Sequence, residues 1–214
     1  EEDLFGYVAS LSYRSGYQRT ENRLDYETTG GVPVFQDGTR DQFSVLWGAI
    51  VDVNFRISGL HKISVQNSFN QTGEDKVSRL KGIDENEQDL RTEVTEWDQR
   101  SMYVGKVSGA HTLPDVAGLA VNWHASYSES KAKEPDRRTS VYTRNIFYSD
   151  PYPFSTSTPQ RSWSTLDEQT KSFGLDFALP LFDAKLKFGS LYEKKNRDYK
   201  IQFYVTELEN PSNN

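Results

Sequence analysis

The sequence contains no cysteine, which excludes a disulfide framework, a thiolate metal site and a cysteine nucleophile. No apolar run approaches the roughly 18 residues that a membrane-spanning helix needs, and mean hydropathy is −0.75. A helical span is excluded, but a strand-built one is not, because alternation hides its hydrophobicity from any average. No basic excess exists either. Lys+Arg total 25 against 31 Asp+Glu, so the net charge is 25 − 31 = −6, and a nucleic-acid partner is not expected. The only histidines, His61, His111 and His124, fall on separate predicted strands without metal-ligand spacing, and they are read as polar lumen or interface residues. No Ser-His-Asp set, glycine-rich phosphate cradle or nucleophile elbow can be assembled, so neither an enzyme nor a cofactor is expected. No basic segment followed by an apolar one opens the chain at Glu1, which is expected of a mature sequence or a piece of a longer one.

What the chain does have is alternation. From Phe43 to Ile57 one face reads Val45, Trp47, Ala49, Val51, Val53, Phe55 and Ile57, while the other includes Ser44, Gly48, Asp52, Asn54 and Arg56. A turn at Ser58-Gly59-Leu60 leads into a second arm with Ile63, Val65 and Phe69 opposite Lys62, Ser64, Gln66, Ser68 and Asn70. An apolar stripe this long is unusual for soluble strands of about 5–6 residues, whereas a tilted transmembrane strand takes about 9–11. Length favours the membrane.

Five further strands are predicted. The first covers 4–18, with Phe5, Tyr7, Ala9, Leu11, Tyr13 and Tyr17 on one face, and others cover 101–113, 119–128, 172–179 and 185 to at least 193. The stretches 19–42, 71–99 and 129–169 lose the period and read as long polar loops; the connections at 58–60, 114–118 and 182–184 are short. Long and short connections therefore alternate, as in outer-membrane barrels with short periplasmic turns and long extracellular loops. Trp47, Tyr103, Tyr127, Tyr13, Tyr17 and Phe69 lie where aromatic girdles are expected.

The fold expected is all-β, an antiparallel up-and-down transmembrane barrel segment of about seven strands over 1–206, with a polar tail at 207–214. Val45, Trp47, Val51, Val53, Phe55, Leu119, Val121 and Trp123 are assigned to lipid, and Arg14, Asp52, Asn54, Arg56 and Asp176 to the lumen, where charges pair with neighbours. The loop aromatics Tyr148, Tyr152 and Phe154 are the ligand candidates, since flat rings with a polar tip suit a sugar or siderophore. The acidic run from Asp84 to Asp89 lacks EF-hand spacing and is read as a solvated loop.

Three stretches carry a family resemblance. WHASYSESKAKEPDRR (123–138), TEWDQRS (95–101) followed by GKVSGAHTL (105–113), and KFGSLYEKKNRDY (187–199) resemble strand and loop segments of TonB-dependent outer-membrane receptors. The resemblance spans most of the chain and implies a barrel in the outer membrane of a Gram-negative bacterium. It further implies an importer of a scarce solute such as a siderophore or oligosaccharide, with an enclosed plug and energy from a TonB complex. Such a barrel has about 22 strands, and neither plug nor TonB box is recognisable here. The chain is therefore expected to be a barrel segment, with lipid bilayer, remaining strands, plug and TonB complex as partners. The rival readings are a soluble β-sandwich or barrel that binds carbohydrate, and an outer-membrane enzyme with a site at its rim.

Overall fold

The structure is a computed structural model that describes residues 4–27, 33–83, 88–145 and 160–205. Seven strands follow one another: β1 (Phe5–Glu27), β2 (Pro33–Ser58), β3 (His61–Ile83), β4 (Gln88–Leu113), β5 (Leu119–Asn145), β6 (Gln160–Leu181) and β7 (Ala184–Val205). Each pairs antiparallel with the next in a single up-and-down sheet, with β1 and β7 at its edges. The fold class expected from the sequence is the one observed, as an open sheet and not a closed cylinder.

The short connections lie at one end. Leu60 N–H donates to Ser58 Oγ at 3.2 Å and tightens the β2–β3 turn. Between β4 and β5 a single 3₁₀ turn, Pro114–Val116, is followed by left-handed Ala117 (φ 53°) and Gly118 (φ 71°), which together reverse the chain.

The strands run 22 to 27 residues, far beyond the expected bounds, and this corrects the loop assignment. Most of the stretches 19–42, 71–99 and 129–169 is strand: Arg19 pairs with Asp41, Lys76 with Glu96, and Thr139 with Gln160. The reason is that both faces of these extensions are polar, so no period of two marks them, while the backbone ladder continues regardless. Pro33 opens β2, where a missing donor is tolerated. Pro135 and Asp136 form a bulge in β5, one residue in excess of both neighbours, with Asp136 at φ 60°. Residues 207–214 and the core of the acidic run, 84–87, lie outside the described residues.

No hydrophobic core is present among the described residues. The six that are buried are Gly48, Ser78, Gly82, Gly109, Ser162 and Gly174, whereas Leu11 is 79% exposed and Tyr7 70%. Among the described residues the single layer of sheet has no second layer to pack against.

Because the extensions are ladders and not loops, amide exchange in the folded chain should protect Thr72–Leu80 and Thr92–Thr95 by orders of magnitude over unstructured peptide. The outward-facing amides of β1 and β7 should exchange fastest. Unprotected amides in both segments would contradict these strand bounds.

Candidate functional site

Register sorts the paired residues onto two faces. On the first, the row Phe5–Phe55–Ile63–Gly109–Trp123–Leu175 runs from β1 to β6, followed by Tyr7–Val53–Val65–Val107–Ala125–Phe173–Tyr192 across all seven strands. The second face carries Val8–Asp52–Gln66–Lys106–Ser126–Ser172–Glu193 and Arg56–Lys62–Ala110–Asn122–Asp176–Gly189. One face is apolar near the short turns; the other is mostly polar and rich in serine, with Val8, Leu46, Ile50, Met102 and Leu191 interspersed.

All eight residues assigned to lipid share the first face. Trp47 packs on Phe69 with ring centroids 4.9 Å apart, Phe55 on Phe5 at 5.2 Å, and the Trp123 indole lies over Gly109, where a Cβ would collide with it. All five assigned to the lumen share the second face, but no two stand directly opposite one another. Asn54 accepts from Ser64 Oγ at 2.6 Å, Arg56 faces Lys62, and Asp176 lies over Gly189. Tyr148, Tyr152 and Phe154 lie outside the described residues.

The apolar band ends on each strand at an aromatic: Tyr17, Phe43, Phe69, Tyr103, Tyr127, Phe173 and Tyr192. Traced through the register to β1, these fall at the levels of Tyr17, Tyr17, Leu11, Leu11, Ala9, Tyr7 and Tyr7. The border thus descends ten residues over six strand-to-strand steps. The opposite border, from Phe5 on β1 to Leu181 on β6, descends six over five such steps. At about 3.3 Å per residue and about 4.8 Å per step, the two slopes correspond to strands inclined about 50° and about 40° to the normal of the band.

Sequence reasoning missed one cluster on the apolar face. His61 and His111 stand opposite each other with their Nδ1 atoms 3.1 Å apart, and Trp123 Nε1 donates to His111 Nε2 at 3.0 Å. With His111 Nε2 accepting, its proton sits on Nδ1 and is donated to His61 Nδ1, which fixes the tautomer of both neutral rings. The two are 50 residues apart in sequence, and only the β3–β4 register could have joined them. Two histidines do not complete a metal site, and no group of three or more metal-binding side chains occurs among the described residues.

Beyond the band, charges pair across strands. Lys76 donates to Asp98 at 2.6 Å and lies 2.9 Å from Glu74 and 3.6 Å from Glu96. Its burial opposes the charge, but hydrogen bonds with Asp98 and Glu74 outweigh that, and its pKa lies above the ordinary lysine value. Asp136 at the bulge accepts from Arg138 and, at 2.6 Å, from Arg161, whose guanidinium lies 4.9 Å from the Trp163 ring. Arg138 first, then Arg161, holds the Asp136 carboxyl below its usual range. Glu168 meets Lys195 at 2.7 Å and Arg197 at 2.6 Å, and they lower its pKa likewise. No nucleophile and base stand within reach of each other in these clusters; their evident work is to hold the extensions together.

No family model and no curated protein sequence matches this chain. Among solved structures it aligns with the crystal structure of Pseudomonas aeruginosa OccK10 (OpdN). The alignment spans 95% of this chain and 98% of that one, at 9% identity and a TM-score of 0.11. A likeness so slight carries no argument about fold or function.

Since the Asp136 and Glu168 pKa values are depressed on folding, their contribution is complete above the ordinary carboxylate range and is lost as pH falls through the folded values. The urea midpoint of the β5–β7 extension, followed by Trp163 fluorescence, should drop between about pH 6 and about pH 3. The drop should be smaller in the Asp136→Asn, Glu168→Gln double variant. An equal acid sensitivity in both proteins would remove these pairs as its cause.

Proposed function

We propose that this chain forms part of the wall of an outer-membrane transport barrel in a Gram-negative bacterium. The observation that carries the reading is a band of exposed apolar side chains with no protein core beneath it among the described residues. In water such a face is a liability; against lipid it is a solvated surface. The band has a suitable height: Phe5–Tyr17 on β1, His61–Phe69 on β3 and Leu119–Tyr127 on β5 are close to the about 9–11 residues that cross a bilayer. The oblique aromatic border supports the same reading, because a membrane plane cuts tilted strands along such a slope, and barrel strands tilt by about 35–45°. The polar face would then line the lumen, with Arg14, Asp52, Asn54, Arg56 and Asp176 along it.

Within that class the TonB-dependent receptor is the reading we favour, on the resemblance of 95–101, 105–113, 123–138 and 187–199 to segments of that family. On this reading the chain is not an enzyme; it belongs to an importer of a scarce solute such as a siderophore or an oligosaccharide. Lipid bilayer, further strands, a plug and the TonB complex are its partners. The edges β1 and β7 support the need for further strands or another copy, since unpaired backbone groups are not tolerated in hydrocarbon.

Purified without detergent, the chain should aggregate; in detergent or phospholipid vesicles it should disperse. Val53→Arg, at mid-band, should oppose insertion by about 2–4 kcal/mol, whereas Asn54→Arg on the opposite face should be nearly neutral. A monodisperse, detergent-free species would mean that Val45, Trp47, Val51, Val53 and Phe55 cover protein and not lipid. Uptake by a complete barrel bearing this segment should stop when the inner-membrane proton gradient is dissipated. Uptake indifferent to that gradient would point to a passive channel.

A further inference from the structure

One row of the apolar face, at the aromatic border on β5 and just beyond it on β6 and β7, has a composition that the wall alone does not account for. It reads Asn67, Gly105, Tyr127, Lys171, Lys194 from β3 to β7. Lys171 and Lys194 stand directly opposite each other on neighbouring strands, and like charges in that position repel. Of the nearest acids on this face, Glu129 is engaged with Lys131 at 2.9 Å and Asp198 with Lys200 at 3.2 Å, while Asp167 stands opposite Lys131. Neither Lys171 nor Lys194 has an ion pair among the described residues.

Beside the pair lies a groove of about 700 Å³ whose lining includes Val65, Val107, Ala125, Tyr103, Tyr127 and Lys171. The groove exists because Gly105 leaves the middle of its row without a side chain. Tyr103 folds across it, its hydroxyl donating to Asn67 Oδ1 at 2.9 Å, and the Tyr103 and Tyr127 rings lie 6.3 Å apart. From there the apolar floor continues toward the short turns through Ile63, Trp123 and Leu175.

A cationic pair at one end of an apolar trough matches a ligand with an anionic head and a hydrocarbon tail. We infer that this face holds a phosphorylated, acylated lipid, its phosphate between Lys171 and Lys194 and an acyl chain along Val65, Val107 and Ala125. The inference rests on the reading of this face as lipid-facing. The level of the two lysines fits it, since they lie one row beyond Phe173 and Tyr192, where headgroups meet an aromatic girdle.

The test reconstitutes the whole chain in phosphatidylcholine vesicles containing a bisphosphorylated lipid A or its dephosphorylated form, and native mass spectrometry counts the lipid retained. The chain should retain the phosphorylated form in about tenfold preference, as two surface lysines can supply. Lys171→Gln with Lys194→Gln should abolish the preference while leaving insertion intact, because both side chains are exposed. Ala125→Trp, which fills the trough with another apolar group, should reduce the lipid retained. Equal retention by the double lysine variant overturns the inference, as does full displacement by inorganic phosphate, which would mark a free-anion site. Protease protection in vesicles without any lipid preference overturns this inference alone. Failure to gain protection in any vesicle overturns the membrane reading and this inference with it.

Discussion

Backbone pairing register bears the weight that a packed interior carries in most proteins. With six buried residues among those described, all Gly or Ser, side-chain packing contributes little to choosing one arrangement over another. A slip of one residue between any two strands would exchange the Val53 and Asp52 faces for every strand beyond it. Several features oppose such a slip. The tight turns at Gly59-Leu60 and Pro114–Gly118 set the count at one end, and the cross-strand pairs Lys76–Asp98, Asp136–Arg161 and Glu168–Arg197 set it at the other.

The two ends of the sheet use different chemistry for one purpose. Near the turns, aromatic and β-branched side chains adjoin across strands, as Trp47 does with Phe69 and Phe177 with Phe188. Along the extensions those residues give way to alternating charges, and the ladder is held by ion pairs exposed to water. Pairs of that kind are individually weak. Networks such as Lys76 with three carboxylates are worth more than isolated contacts because one cation satisfies several acceptors.

Legibility followed the difference between faces. Strand halves such as Val45–Ile57 and Leu119–Tyr127 are plain in the sequence because their two sides differ in polarity. Lys76-Val77-Ser78-Arg79 gives no such signal, although it is as fully paired as Val65. The residues assigned to lipid and those assigned to the lumen fall on opposite faces of the sheet because parity along each strand suffices to sort them. The His61–His111–Trp123 contact and the Asn67–Gly105–Tyr127–Lys171–Lys194 row need the offset between strands. That offset depends on where each hairpin reverses, and in the polar extensions no turn signal stands out against the surrounding Asn, Asp, Gly and Ser.

The slope of the aromatic border has a geometric corollary. A sheet whose members are offset by roughly one to two residues per strand is a length of screw thread and not of straight fence. Strands added at either edge must keep that pitch, so the circumference and the total offset after one circuit are bound together. These seven strands therefore set the tilt of any cylinder they help to close, while its calibre follows from the number of strands that complete the ring.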